Sequence, residues 1–195
     1  MILTEIAPAA ALPVPLREFA AHIRLGTGFE DDGSEDALLE VYLRAAAAAI
    51  EARTGKALVT RRLGLQLTRW RAPCAHGLPV APVAAVETVR LIDELGAATE
   101  VDATRWTLVP DAQMPQLVGA RGGTLPTIPI NGRAEITFQA GFGPSWNDVP
   151  SDLRQAVMLL AASYYEQRAE VGGGMAKPMP FGVAALLEPH CAVRM

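Results

Sequence analysis

Only two of the 195 residues are cysteine, and they stand far apart, at 74 and 191. A disulfide-stapled scaffold is excluded, and a reducing, cytosolic compartment is expected. Aromatic residues make up 6% of the chain and charged residues 19%. Lys and Arg (17) are outnumbered by Asp and Glu (21), for a formal net charge of -4. A bulk nucleic-acid binder needs a cationic surface to displace phosphate counterions, so that class is excluded, although a local basic patch is not. Apolar runs such as Ala45–Ile50 and Ala156–Ala162 fall well short of the ~20 residues that cross a bilayer. Met1–Leu16 is apolar and Pro-rich but has no Lys or Arg, so it lacks the positive leading segment of a secretory signal. A soluble chain without internal repeats is expected.

Half of the residues are apolar. That is enough for a sizeable core, in one domain or in two small ones sharing a core. Pro15 fits a helix start, with Leu16, Phe19, Ala20 and Ile23 at helical spacing until Gly26 and Gly28. The acidic loop Phe29–Gly33 leads to Ser34 as an N-cap, and Glu35 and Asp36 complement the positive helix end. The helix that follows carries Leu38, Val41, Tyr42, Ala45, Ala49 and Ala52 on one face and stops at Thr54-Gly55. The period then changes: Leu63, Leu65 and Leu67 alternate with polar or small residues between Thr60 and Trp70, as in a half-buried strand. Strands are also predicted at Val86–Ile92, Glu100–Val109, Gln116–Val118 and Arg133–Ala140, while Ala72–Pro82 and Gly119–Asn131 read as irregular. Helical spacing returns after Pro150, with Leu153, Val157, Leu160, Ala161 and Tyr164 on one face. Gly172-Gly173-Gly174 ends it as a flexible joint. The tail beyond has one or two amphipathic turns after Pro180.

These patterns predict an α+β fold. Segments 15–25, 34–54 and 150–170 form a helical bundle, a small antiparallel β unit is inserted between its second and third main helices, and an extended C-terminal tail follows. The corresponding divisions are 1–56 for the N-terminal helical part, 57–143 for the β unit, 144–171 for the last bundle helix and 172–195 for the tail.

Chemistry-bearing residues are sparse. Cys74 with His76, joined by His190 and Cys191, offers thiolate and imidazole groups of the kind zinc takes, but without a familiar finger spacing. His22 has apolar neighbours and reads as structural. The run Glu30–Asp36 lacks the ligand order and distal Glu of a calcium loop. Gly26-Thr27-Gly28 follows a helix and has no P-loop Lys. No nucleophile elbow or catalytic triad is suggested. No cofactor is expected, and the enzyme reading has no motif behind it.

Charge order says more. Arg53–Arg71 holds six basic residues (Arg53, Lys56, Arg61, Arg62, Arg69, Arg71) and no acidic one, whereas Glu30–Glu40 holds six acidic residues and no basic one. Two solvated faces would explain this. So would a head-to-tail interface between copies, which closes into a ring when the rotation allows. The candidate interface residues are Arg53, Lys56, Arg61 and Arg62 on one side and Asp31, Asp32 and Glu35 on the other.

The order of elements resembles the head–tail connector, or adaptor, proteins of tailed bacteriophages and gene transfer agents. The resemblance is carried by Asp31–Ala52 ending in Arg53-Thr54-Gly55-Lys56-Ala57-Leu58, by Ile136–Gly143, by Val149–Ala156, by Tyr164–Arg168 and by Pro180–Leu187. It covers most of the chain and is weakest over 72–131. It implies a subunit of a ring, usually twelve-fold, beneath the portal protein at one capsid vertex. Such a ring extends the DNA channel, lets double-stranded DNA pass without specific binding and docks a stopper or other neck protein. It implies no membrane and no catalysis, with location in the particle neck and, before assembly, in the host cytoplasm. The tail residues Met179, Phe181, Val183, Leu186 and Leu187 would then dock on the portal. Burying Phe181, Leu186 and Leu187 is worth roughly 1.5–3 kcal/mol each. The competing readings are a stopper or tail-completion protein, and a metal-dependent enzyme or regulator built on Cys74, His76, His190 and Cys191.

Overall fold

A computed structural model describes residues 1–7, 16–23, 35–167 and 179–191. The chain divides into two units, Met1–Ala11 with Gly55–Pro144, and Leu12–Thr54 with Ser145–Met195.

The first unit is built from strands. Along β2 (Arg61–Leu67) the burial alternates, and Leu63, Leu65 and Leu67 turn inward. β8 (Arg133–Ala140) answers with Ala134, Ile136 and Phe138, set directly opposite those three leucines. Alternation of this kind is what one buried sheet face demands. β1 (Ile2–Ala7) pairs with the other side of β2. β4 (Val83–Ile92) pairs with β8, and β5 (Ala98–Glu100) pairs with β4. The five-stranded antiparallel order is therefore β1-β2-β8-β4-β5. A three-stranded antiparallel sheet, β3-β7-β6, is made by β3 (Ala75–Gly77), β6 (Trp106–Val109) and β7 (Gln116–Gly119). Leu117 of β7, Leu78 and Leu125 join Leu63, Leu65, Val89, Ile136 and Phe138 in one core.

The second unit is helical. α2 (Asp36–Thr54) buries Leu39, Leu43, Ala46, Ala47 and Ile50, which corrects the face read from the sequence: Leu38, Val41, Ala45 and Ala52 are exposed, and Tyr42 and Ala49 half-buried. Gly55 follows it with φ +68°, the left-handed cap its sequence predicts. α2 packs on α3 (Ser151–Gln167), which buries Leu153, Ala156, Val157, Leu160 and Ala161. Small residues on both faces let the helices approach closely. Tyr42 meets Tyr165 edge-on at 6.1 Å. α1 (Leu16–His22) contributes the fully buried Phe19. α4 (Phe181–Leu187) packs on α3 through Val183 and Leu187, both fully buried.

The expectation of a helical bundle carrying a small inserted β unit is corrected. Among the described residues the fold is mixed, with four helices and eight strands in two antiparallel sheets. Two of the helices have only seven residues. The β part is not an insertion between helices, because β1 precedes every helix and still joins the large sheet. The stretch read as a strand from Glu100 to Val109 is broken by a turn: Asp102 accepts the Thr104 N–H at 2.8 Å. Its two ends belong to different sheets. Part of the loop read at Ala72–Pro82 is β3. Ser34, Gly26, Gly28 and the three glycines 172–174 lie outside the described residues.

Candidate interaction surfaces

The basic stretch is largely spent inside its own unit. Lys56 is buried, and its Nζ donates to the Ala112 carbonyl and, at 2.8 Å, to Gln113 Oε1. Arg62 Nε donates to Glu87 Oε2 at 2.6 Å, and Gln139 donates to the other oxygen of that carboxylate at 2.8 Å. The Gln139 bond, aided by Arg62, holds the Glu87 carboxyl below its ordinary range. Arg61 lies 3.9 Å from Glu5 of β1. Arg53, Arg69 and Arg71 are exposed and form no ion pair among the described residues.

On the acidic side, Glu35 is exposed, with the Tyr165 hydroxyl donating to its Oε2 at 3.5 Å. Glu40 pairs with Arg44. Asp36 is exposed. Asp31 and Asp32 lie outside the described residues.

The five apolar residues singled out near the C-terminus separate by burial. Val183 and Leu187 face α3, Met179 and Leu186 are half-buried, and Phe181 is 88% exposed. A short 3-10 turn, Glu188–His190, follows α4. It is fastened to the start of α3 by His190 Nε2, 2.5 Å from Asp152 Oδ2. Burial pushes the Asp152 carboxyl up, but the bonds from His190 and the Leu153 N–H outweigh it and leave it lowered. The sequence pattern shows the apolar face of this segment but not the His190 fastening, which joins residues 38 apart.

Among the described residues, no three His, Cys, Asp or Glu side chains gather as a metal-holding set. Cys74 is exposed and His76 is buried in β3, while Cys191 belongs with the helical unit. Two exposed features carried no sequence signal. The apolar side chains of the edge strand β1 (Ile2, Leu3, Ile6) face solvent. Leu95 and Ile130 are 93% and 89% exposed, on neighbouring loops joined by the Asn131–Glu94 bond. No described helix is long and apolar enough to cross a membrane.

Solved structures identify the class to which these features belong: it is a component of a particle neck. The chain is 52% identical to a chain in the neck of an empty gene transfer agent (GTA) particle computed with C6 symmetry, with a TM-score of 0.89. It is 51% identical to a chain in the virion of the native GTA particle, TM-score 0.87. It is 46% identical to a chain in the neck of the native particle computed with C12 symmetry, TM-score 0.85. Each match covers 100% of this chain and 97% of the other. No protein-family model matches the chain, and no curated protein does. The chain belongs to the GTA neck-protein family, in agreement with its resemblance to head–tail connectors.

Proposed function

We propose that the protein is a head–tail connector (adaptor) subunit. Twelve copies form a ring beneath the portal of a gene transfer agent or phage-like particle, extend the DNA channel and dock the next neck component. The carrying observation is the full-length likeness, at about half identity, to chains of GTA necks. The C6 and C12 symmetries of those necks support a homo-oligomeric ring. The role is structural and non-catalytic, in the particle neck, with the portal protein and a stopper or other neck protein as partners. A net charge of -4 suits a channel through which DNA slides without being held.

Within the C-terminal segment the burial pattern divides the work. Val183 and Leu187 hold α4 on α3, and Phe181 projects as the portal-docking anchor, flanked by Met179 and Leu186. An exposed apolar side chain of this size suits an interaction site.

Omitting the chain from a producing strain tests the reading. DNA-filled heads without tails are expected, with tails restored when the chain is supplied. Normally tailed particles in its absence would contradict it.

A further inference from the structure

Beyond the end of β2, residues Leu67, Thr68, Arg69, Trp70 and Arg71 border, with His76, an open recess of about 710 Å³. Its floor is polar and fixed. His76 is 93% buried, and its Nδ1 accepts the Arg71 backbone N–H at 3.1 Å. In a neutral imidazole that bond places the hydrogen on Nε2. Burial, and then the charge of Arg71, push the His76 pKa down and keep the ring neutral. Nε2 has no hydrogen-bond partner. A buried donor without an acceptor is uncommon in folded proteins and calls for an explanation.

The walls are set in advance. Trp70 stands edge-on to His76 at 5.7 Å, and its Nε1 donates to the Pro126 carbonyl at 2.7 Å. At the mouth, Arg69 and Arg71 are exposed and form no ion pair among the described residues, and no carboxylate borders the recess. Elsewhere in the sheet the arginines are matched: Arg62 with Glu87, Arg90 with Glu100, Arg133 with Glu135. Two unmatched guanidinium groups at the mouth of a preformed recess, with the buried His76 ring in its floor, suit an oxyanion.

We propose that this recess captures a carboxylate from the acidic run Glu30–Glu40 of a neighbouring copy, with Arg69 and Arg71 as the donors and the His76 ring in its floor. The proposal rests on the ring reading above. A ring needs two different, complementary patches on each subunit. The chain supplies the second patch itself: six acidic residues without a basic one. Of these, Asp36 is exposed and makes no ion pair among the described residues. The contact moves the basic side of the interface from Lys56, Arg61 and Arg62, which are engaged within their own subunit, to Arg69 and Arg71, two of the three exposed arginines of the stretch without an ion pair among the described residues.

The test titrates the full chain, carrying ¹⁵N-labelled histidine, with a synthetic peptide of residues 30–40. Parallel titrations use the same peptide with Asn and Gln for Asp and Glu, inorganic phosphate, and duplex DNA. The acidic peptide is expected to move the His76 imidazole signal and to bind at least about tenfold more tightly than the neutral one. Combined Arg69→Gln and Arg71→Gln substitution is expected to abolish the difference without changing the melting temperature, since both side chains are exposed. An unmoved His76 signal, equal binding by the variant, or a stronger response to phosphate or DNA would overturn the proposal. The variant's entry into particle necks separates the two levels. If wild type enters the neck and the variant does so equally well, the recess contact falls and the ring stands. If wild type does not enter, the ring reading itself falls.

Discussion

At Gly141 the backbone turns with φ +141°, and a Cβ there would lie 2.3 Å from the Thr60 nitrogen. Its own N–H donates to the Pro82 carbonyl at 2.9 Å, so the residue ties the end of β8 to two neighbouring segments. Gly141→Ala is expected to cost at least about 1–3 kcal/mol through backbone strain alone. Equilibrium denaturation measures it, and an unchanged midpoint would contradict the geometry. His76 supplies a second expectation. Its pKa is lowered from the ordinary 6.5, so the unfolded chain binds the proton more tightly than the folded one. Stability contributed by His76 is therefore full above about pH 6.5 and declines as the pH falls below it. Wild type should lose more stability than His76→Gln between pH 7.5 and about 5 in matched denaturation curves. Parallel curves would show that the imidazole is not held neutral.

Among the strands, legibility followed burial, whereas the alanine-rich α2 offers no clear stripe and the face read for it (Leu38, Val41, Ala45, Ala52) is exposed. Leu63, Leu65 and Leu67 of β2 and Ala134, Ile136 and Phe138 of β8 alternate because one face of each strand is buried, and their sequence announces both strands. β1 is an edge strand whose Ile2, Leu3 and Ile6 stay exposed, so its pairing with β2 leaves no burial pattern to read. β3 and β5, at three residues each, are too short to show a period. α4 was legible as an amphipathic turn, but composition could not tell which of its apolar side chains pack on their own subunit. The structure makes that distinction at Leu187 and Phe181, and a pair of substitutions checks it. Leu187→Ala is expected to cost about 2–5 kcal/mol and to speed amide exchange in α4. Phe181→Ala is expected to change stability by no more than about 0.5 kcal/mol while impairing attachment to portal-bearing heads. Normal attachment by a stably folded Phe181→Ala variant would remove Phe181 as an anchor.

For the whole molecule, the resemblance to connectors was legible only through the order of motifs, since Cys74, His76, His190 and Cys191 have no familiar metal spacing and the two charge runs fit solvated faces as well as an interface. Membership of the GTA neck family supplies what residue physics lacks. The central claim is that identical copies of this chain encircle the DNA path next to the portal. Its most direct test is cryo-electron microscopy of particles in which this subunit carries a small fused tag, reconstructed about the neck axis. Twelve tag densities in one ring, in contact with the portal on one side and the next neck component on the other, are expected. Tag density on the tail side of the neck away from the portal, or absent from the neck altogether, would contradict the account.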